Sequence, residues 1–360
     1  MNDERSSGAS FIAHPSSLIA RSRMKGMILA AGFGTRLRPV TYTLPKPMVP
    51  LVNLPLVAWA VESYLRAGVA DLVVNLHHLP EPIERYLRDR YAGRAQFHFS
   101  HEEEILGTGG GIRRVRPQLS TESGFFLVNG DTVQFPRYGA LRDAREQLDA
   151  VAALTLRHPP EGDRFTAVYL DGQRVTGFGK GSGEALMFAG SHCISSRVFD
   201  YLPDQEFSGI VDGTYQPLLD TRREPLAGIV DDGLWFDIGT PQRYLSASRA
   251  LIAATVSQEV PLARGSRVRG DSVVDESAQV AATATRSSIG ARSIVQGTLV
   301  DSSVWDGCII GAGVKLERCI VAHGVELHGN LELRDQLIVR DDTAIPGDVE
   351  RRDGLIYSGI

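Results

Sequence analysis

The chain has 360 residues, of which 43% are hydrophobic and 22% charged, and these values predict a globular protein with room for two domains. Its formal net charge of −5 disfavours a nucleic-acid-binding surface. It contains three cysteines and no CxxC pair, which disfavours a disulfide scaffold or a zinc site. Because no apolar run reaches the ~18 residues that span a bilayer, we expect a cytoplasmic protein without a membrane partner.

The N-terminal segment at 1–23 has a composition of its own. It is rich in Ser and Arg and lacks a continuous apolar stretch, so we expect a disordered leader rather than a secretory signal. Met24 directly precedes the first predicted strand and is therefore a candidate start of the protein.

Predicted strands and helices alternate over residues 24–257, the predicted first domain. In chain order the clearest of them cover residues 27–31, 56–67, 72–76, 80–91 and 125–129. This alternation predicts an α/β fold, a doubly wound and mainly parallel Rossmann-like sheet. Ligands bind at the carboxyl ends of such strands, and Gly32 and Asp131 both lie just past predicted strand ends.

The character of the sequence changes again after residue 257. Branched apolar residues recur there about every six positions, at Val268, Val274, Val280, Ile289, Val295, Ile310 and Leu316. A hexapeptide repeat of this kind predicts a left-handed parallel β-helix over residues 258–345, followed by a C-terminal tail at 346–360. Its flat faces and open ends favour a homo-oligomer formed through the β-helix. An irregular β-sandwich is the alternative.

A glycine-rich loop at residues 29–39 follows the first predicted strand. Gly32 and Gly34 let the backbone turn sharply and offer N–H groups to phosphate oxygens, and Arg36 adds a planar fork of donors. The loop is not a P-loop, because GxxxxGK(S/T) is absent. It is not a dinucleotide fingerprint either, since Leu37 stands where GxGxxG requires glycine.

Other candidate functional residues follow along the chain. Lys46 stands between two prolines, whose fixed φ makes the segment stiff and lets the ammonium reach a phosphate with little ordering. A second glycine-rich loop at 108–112 is equally compatible with a flexible turn. Asp131 suits Mg²⁺ or a turn, and Asp237 lies just before a predicted helix, whose dipole also favours a negative charge.

Together these motifs resemble the signature of the nucleotidyltransferases that make nucleotide-sugars. Residues 100–108 are similar to the matching segment of GDP-mannose pyrophosphorylases, a group that a β-helix tail also suits. Residues 29–32 and 109–111 look closer to N-acetylmuramate-1-phosphate uridylyltransferases, which lack such a tail. The resemblance implies an enzyme that transfers a nucleoside monophosphate from a nucleoside triphosphate to a sugar-1-phosphate and releases pyrophosphate.

The resemblance also implies a role for individual residues. The implied nucleotide-binding residues are Leu29, Ala30, Gly32, Gly34, Thr35, Gly109 and Gly110. The implied catalytic cations are Arg36, Lys46 and Lys180. Lys180 matches less closely than the others, since Gly179 stands where the family usually has an acidic residue. The implied ligands of the cofactor, Mg²⁺, are Asp131 and Asp237.

Several alternatives remain open at this point. The base and the sugar are not fixed: synthesis of GDP-mannose is our first hypothesis, and a uridylyl or heptose variant is the second. A non-catalytic regulatory or scaffold subunit would lack an intact phosphate loop, whereas this chain retains one. A β-helix acyltransferase would use a histidine as its base, and His323 and His328 lie in the repeat region.

Overall fold

The computed structural model describes residues 24–160, 162, 165–341, 345 and 349–360. The predicted leader at 1–23 therefore lies outside the described residues, as does part of the predicted tail. Within the described residues, no helix has both the length and the apolar character to cross a bilayer. The predicted domain boundaries stay predictions.

The first domain is built on a nine-stranded sheet. Its strands, with those of two small strand pairs, are β1 (Lys25–Leu29), β2 (Pro50–Leu51), β3 (Leu54–Pro55), β4 (Asp71–Leu76), β5 (Gln96–His101), β6 (Phe125–Asn129), β7 (Thr132–Gln134), β8 (Ala152–Arg157), β9 (Ala167–Asp171), β10 (Arg174–Phe178), β11 (Glu184–Ile194), β12 (Leu226–Val230) and β13 (Trp235–Asp237). The order in the large sheet is β5-β4-β1-β6-β11-β8-β12-β10-β9. The first four strands are parallel, whereas β11 runs antiparallel to both β6 and β8. The predicted α/β fold is thus confirmed, with one parallel half and one mixed half.

Helices cover both faces of this sheet. They are α1 (Leu56–Arg66), α2 (Pro80–Arg90), α3 (Gly107–Arg114), α4 (Arg116–Leu119), α5 (Tyr138–Gln147), α6 (Gln216–Asp220) and α7 (Pro241–Val256). Successive side chains of a strand point to opposite faces, so the neighbours Met27 and Ile28 belong to two different hydrophobic cores. This two-sided burial explains why β1 reads as a continuous apolar run.

The second domain is the predicted left-handed parallel β-helix. Its strands are β14 (Ser266–Arg269), β15 (Ser272–Asp275), β16 (Gln279–Val280), β17 (Ala284–Thr285), β18 (Ser288–Ile289), β19 (Ile294–Val295), β20 (Thr298–Val300), β21 (Ser303–Val304), β22 (Ile309–Ile310), β23 (Val314–Glu317), β24 (Ile320–Val321), β25 (Glu326–Leu327), β26 (Leu331–Arg334), β27 (Gln336–Arg340), β28 (Glu350–Arg352) and β29 (Leu355–Gly359). Three parallel sheets form its sides, and β28 and β29 extend one of them with antiparallel pairing.

The coils of the β-helix are not all of the same length. Val304 pairs with Ile289 of the preceding coil and with Val321 of the following coil, and the second of these coils is the longer one. Both coils are shorter than three complete hexapeptides, so some of their sides carry fewer residues than the repeat predicts. Val268 points outward instead of into the coils: it is 41% exposed, because β14 pairs antiparallel with β15 before the coils begin.

Candidate active site

A pocket of about 490 Å³ opens at the carboxyl ends of β1, β4 and β6. Leu29, Asn75 and Asn129, the pocket residues from these strands, lie at or next to the strand ends. Eight of the predicted site residues line the pocket: Leu29, Ala30, Gly32, Gly34, Thr35, Arg36, Lys46 and Asp131. The fold therefore brings most of the predicted site together at the edge where α/β sheets bind ligands.

The phosphate loop touches the lysine segment directly. Gly34 has φ +63°, a conformation that favours glycine, and a Cβ atom there would lie 2.6 Å from the Cβ of Lys46. A short 3₁₀ helix, Thr35–Leu37, follows and carries Arg36, and another one further along, Lys46–Met48, begins with the lysine. Two local turns, rather than one long loop, thus place both cations at the pocket.

Lys46 and Asp131 form an ion pair inside the pocket. The distance from Lys46 Nζ to Asp131 Oδ2 is 2.6 Å, and Lys46 is only 5% exposed. The Asp131 side chain is more open, at 39% exposed. A buried ammonium that already has a carboxylate partner is held in place, and its remaining donors are free to face a phosphate.

The second predicted metal ligand lies on a neighbouring segment. β13 pairs antiparallel with β7 so that Asp237 stands opposite Thr132, which adjoins Asp131. Asp237 Oδ2 lies 2.7 Å from Arg243 Nη1, and Asp237 itself is not among the pocket-lining residues. Gly239, two residues on, does line the pocket, and a Cβ there would lie 2.6 Å from Arg36 Nη1.

The donor chemistry of the two aspartates fits a hard cation. Mg²⁺ usually binds through one or two carboxylates together with substrate phosphates. In the described part of the chain, no group of three or more His, Cys, Asp or Glu residues could hold a metal ion. A metal at Asp131 and Asp237 would therefore take its remaining ligands from substrate oxygen atoms and water.

Two buried polar residues in the pocket wall, Asn75 and Glu102, were not predicted as site residues. Asn75 Oδ1 accepts the N–H of Ala30 at 2.9 Å, and Asn75 Nδ2 donates to Glu102 Oε1 at 2.8 Å. The other carboxylate oxygen of Glu102 accepts the N–H of Leu106 at 3.0 Å. This network ties the phosphate loop to the second glycine-rich loop. The sequence signals for it were a polar residue at each strand end and, for Glu102, its place in the segment 100–108 that carries the resemblance.

The segment predicted as a second glycine-rich loop, 108–112, is helical: it lies within α3, which begins at the pocket and continues into the protein. Gly107 and Thr108 line the pocket, whereas Gly109 and Gly110 are buried and donate their N–H groups to the carbonyl of Ser208. A Cβ at Gly110 would lie 2.3 Å from the carbonyl oxygen of Glu206. The glycines therefore make room for residues 206–208. The predicted contact of Gly109 and Gly110 with a nucleotide stays a prediction.

Lys180 is the remaining predicted cation. It is exposed, lies just after β10 on the mixed side of the sheet, and is not among the pocket-lining residues. Its predicted role also stays a prediction. Phe33, by contrast, was not predicted: it lines the pocket at 49% exposure and packs edge-on against His77, with 5.1 Å between the ring centroids.

Comparison with known proteins agrees with this arrangement. Residues 25–254 match a family model described as nucleotidyl transferase. Mannose-1-phosphate guanylyltransferase 1 of Arabidopsis thaliana is 28% identical over 318 residues, which cover 84% of this chain and 82% of that protein. The mannose-1-phosphate guanylyltransferase of Mycobacterium tuberculosis is 28% identical over 313 residues, covering 86% and 82%. The fold is shared with HddC from Yersinia pseudotuberculosis, with a TM-score of 0.53, 24% identity, and coverage of 63% of this chain and 99% of that one.

The chain belongs to the nucleotidyl transferase family. The family model covers most of the first domain, including both glycine-rich loops, Lys46 and both aspartates. The prediction of a sugar-1-phosphate nucleotidyltransferase is therefore confirmed at the level of the family and of the enzyme class.

Proposed function

We propose that the protein is a mannose-1-phosphate guanylyltransferase, which transfers GMP from GTP to mannose-1-phosphate and releases pyrophosphate. The observation that supports a phosphate-transfer site most directly is the convergence of Gly34, Arg36, Lys46 and Asp131 on one pocket. The identity of the substrates is supported by the names of relatives that match more than four fifths of the chain.

The proposed reaction needs no side-chain nucleophile. A phosphate oxygen of the sugar-1-phosphate attacks the α-phosphorus, a new P–O bond forms, and the bond to the β-phosphate breaks to release pyrophosphate. Because two polyanions must approach each other, positioning and charge neutralisation dominate the catalysis. Arg36 and Lys46 neutralise the triphosphate, the backbone N–H groups around Gly32 and Gly34 orient it, and Lys180 holds the sugar phosphate.

Mg²⁺ is the proposed cofactor, with Asp131 and Asp237 as its protein ligands. When bound there it would supply positive charge for the phosphate oxygens of both substrates. The ion pairs of Asp131 with Lys46 and of Asp237 with Arg243 fix the positions of the two carboxylates. Lys46, which lines the pocket, would offer its remaining donors to substrate phosphate.

The test is pyrophosphate release from a matrix of GTP, UTP, CTP and dTTP against mannose-1-phosphate and other sugar-1-phosphates, with and without Mg²⁺. We expect the highest kcat/KM for GTP with mannose-1-phosphate, and loss of turnover on chelation. A preference for UTP would support the uridylyl hypothesis instead. Absence of turnover with every pair would contradict the enzymatic proposal.

Location and assembly belong to the same proposal. We place the protein in the cytoplasm, since its three cysteines are free and buried. The exposed coils of the β-helix support a homo-oligomer. Light scattering of the full chain tests this: a mass equal to that of one chain, 39.2 kDa, would exclude the assembly.

A further inference from the structure

A buried tyrosine joins the two domains. The Tyr244 hydroxyl, on α7, donates to the carbonyl of Pro50 at 2.6 Å. It also lies 3.0 Å from Trp305 Nε1 and 2.8 Å from Ser303 Oγ, both of which belong to the β-helix. Pro50 follows the Lys46–Met48 turn, and α7 follows Asp237. One hydroxyl thus links the lysine segment, the aspartate segment and the second domain.

Every polar atom of this junction has a partner. A tyrosine hydroxyl has one donor and two acceptor sites; Pro50 uses the donor, so the Trp305 N–H and the Ser303 O–H fill the two acceptor sites. Ser303 then accepts from Ser288 Oγ at 2.9 Å. Tyr244 is 1% exposed and Trp305 3% exposed. At a site this buried, removing one partner leaves the others unsatisfied, so the arrangement is rigid.

Apolar contacts carry the same connection to the phosphate loop. Leu37, which directly follows Arg36, shares one small cavity with Tyr244 and Trp305. The other walls of the cavity are Val40, Val49, Pro241, Ile320 and Leu337. The turns that carry Arg36 and Lys46 are therefore packed, through Leu37 and Val49, against the outer face of one side of the β-helix.

We propose that Tyr244 and Trp305 are positioning residues of the transfer reaction, through which the β-helix fixes the turns that carry Arg36 and Lys46. The inference deepens the proposed function and rests on it for its kinetic readout. It makes the β-helix part of the active-site scaffold, in addition to any role in assembly. His323, a candidate base of the acyltransferase alternative, packs against Trp305, with 5.1 Å between the ring centroids.

The first test is Tyr244→Phe, which removes the hydroxyl and keeps the ring. The matched control is Tyr138→Phe, since Tyr138 is also buried and its hydroxyl lies 3.1 Å from Ser63 Oγ, away from the pocket. We expect Tyr244→Phe to lower kcat about 10-fold or more, with KM changed less than 3-fold, because displaced cations lose contact with the transition state. Tyr138→Phe should leave kcat within about 2-fold of wild type. Both variants should lower the melting temperature by a similar amount, because each removes one buried hydroxyl.

A second readout does not depend on turnover. Amide hydrogen exchange should become faster at residues 35–50 in Tyr244→Phe and in Trp305→Phe, and stay unchanged there in Tyr138→Phe. Equal kcat in all four proteins, or unchanged exchange at 35–50 in both junction variants, would overturn the inference. If the wild-type chain turns over no substrate pair, the proposed function fails, and the exchange experiment still decides whether the junction orders these turns.

Discussion

Lys46 combines burial, a carboxylate partner and a place in the pocket wall. We expect Lys46→Ala to lower kcat by about 10²–10³-fold at saturating substrate, because a preorganised charge that meets the developing negative charge is lost. Lys25→Ala is the matched control. Lys25 lies at the amino end of β1, whereas the pocket lies at its carboxyl end, and Lys25 pairs with Asp71 at 3.2 Å. The measurement is steady-state pyrophosphate release; a turnover of Lys46→Ala within a few-fold of wild type would remove the residue from the mechanism.

His192 is a buried titratable residue that the proposed mechanism does not use. Its Nδ1 lies 2.9 Å from the Tyr215 hydroxyl, and burial lowers the pKa of His192 to about 3. The ordinary pKa of histidine, about 6.5, applies in the unfolded chain, so the fold favours the neutral ring. The contribution of His192 to the free energy of unfolding is therefore fully present above about pH 6.5. It is lost as the pH falls from there towards 3, because the unfolded chain binds a proton that the folded chain does not.

His192 should therefore make the protein less stable as the pH falls. Between pH 6 and pH 4, we expect His192 to lower the free energy of unfolding by about 1.4 kcal/mol per pH unit. Urea unfolding of the wild type and of His192→Gln at several pH values measures the contribution as a difference in slope. The variant should be less stable at pH 7 and should lose less stability on acidification. Parallel slopes would mean that His192 does not stay neutral in the fold.

At the scale of elements, the loop at residues 29–39 and the glycine-rich helix α3 differ in how much their sequence reveals. The role of the loop at residues 29–39 follows from local features: a strand end, two glycines and an arginine are all present in one stretch. The role of the glycines in α3 cannot be inferred in this way. They are needed because the backbone of Glu206 and Ser208, far along the chain, packs closely against the helix. The antiparallel insertion of β11 is likewise set by distant partners.

Gly110→Ala tests the packing role of α3. In an exposed helix, this change stabilises by about 1 kcal/mol, as we expect for Gly139→Ala in α5, where nothing lies within 4 Å of the added Cβ. At Gly110 the added Cβ would meet the Glu206 carbonyl at 2.3 Å, so the sign should reverse and the melting temperature should fall. Thermal unfolding of both variants checks this. An unchanged melting temperature with a raised KM for the triphosphate would favour a direct nucleotide contact instead.

At the scale of the whole molecule, the sequence predicted two domains but not how they join. The hydrophobic repeat identifies residues that point into the β-helix, such as Ile289 and Val295. The outward residues Trp305, Ile320 and Leu337 follow no repeat that marks them as buried, yet they belong to the same hydrophobic core as α1 and β1. Their burial depends on the position of the coils relative to α7, which only the complete fold fixes.

This shared core predicts what happens when the β-helix is removed. A chain ending at Ser257 would lose Trp305, Ile320, Leu337 and Val339 from the core and expose their partners on the first domain. Each large apolar side chain contributes about 1.5–3 kcal/mol when buried, and a whole domain is stable by only about 5–15 kcal/mol. We therefore expect the shortened chain to be insoluble, or to melt at least about 10 °C below the full chain by calorimetry. A shortened chain that melts within a few degrees of the full chain and keeps its kcat would show that the first domain is independent, and that the junction at Tyr244 has no part in ordering the active site.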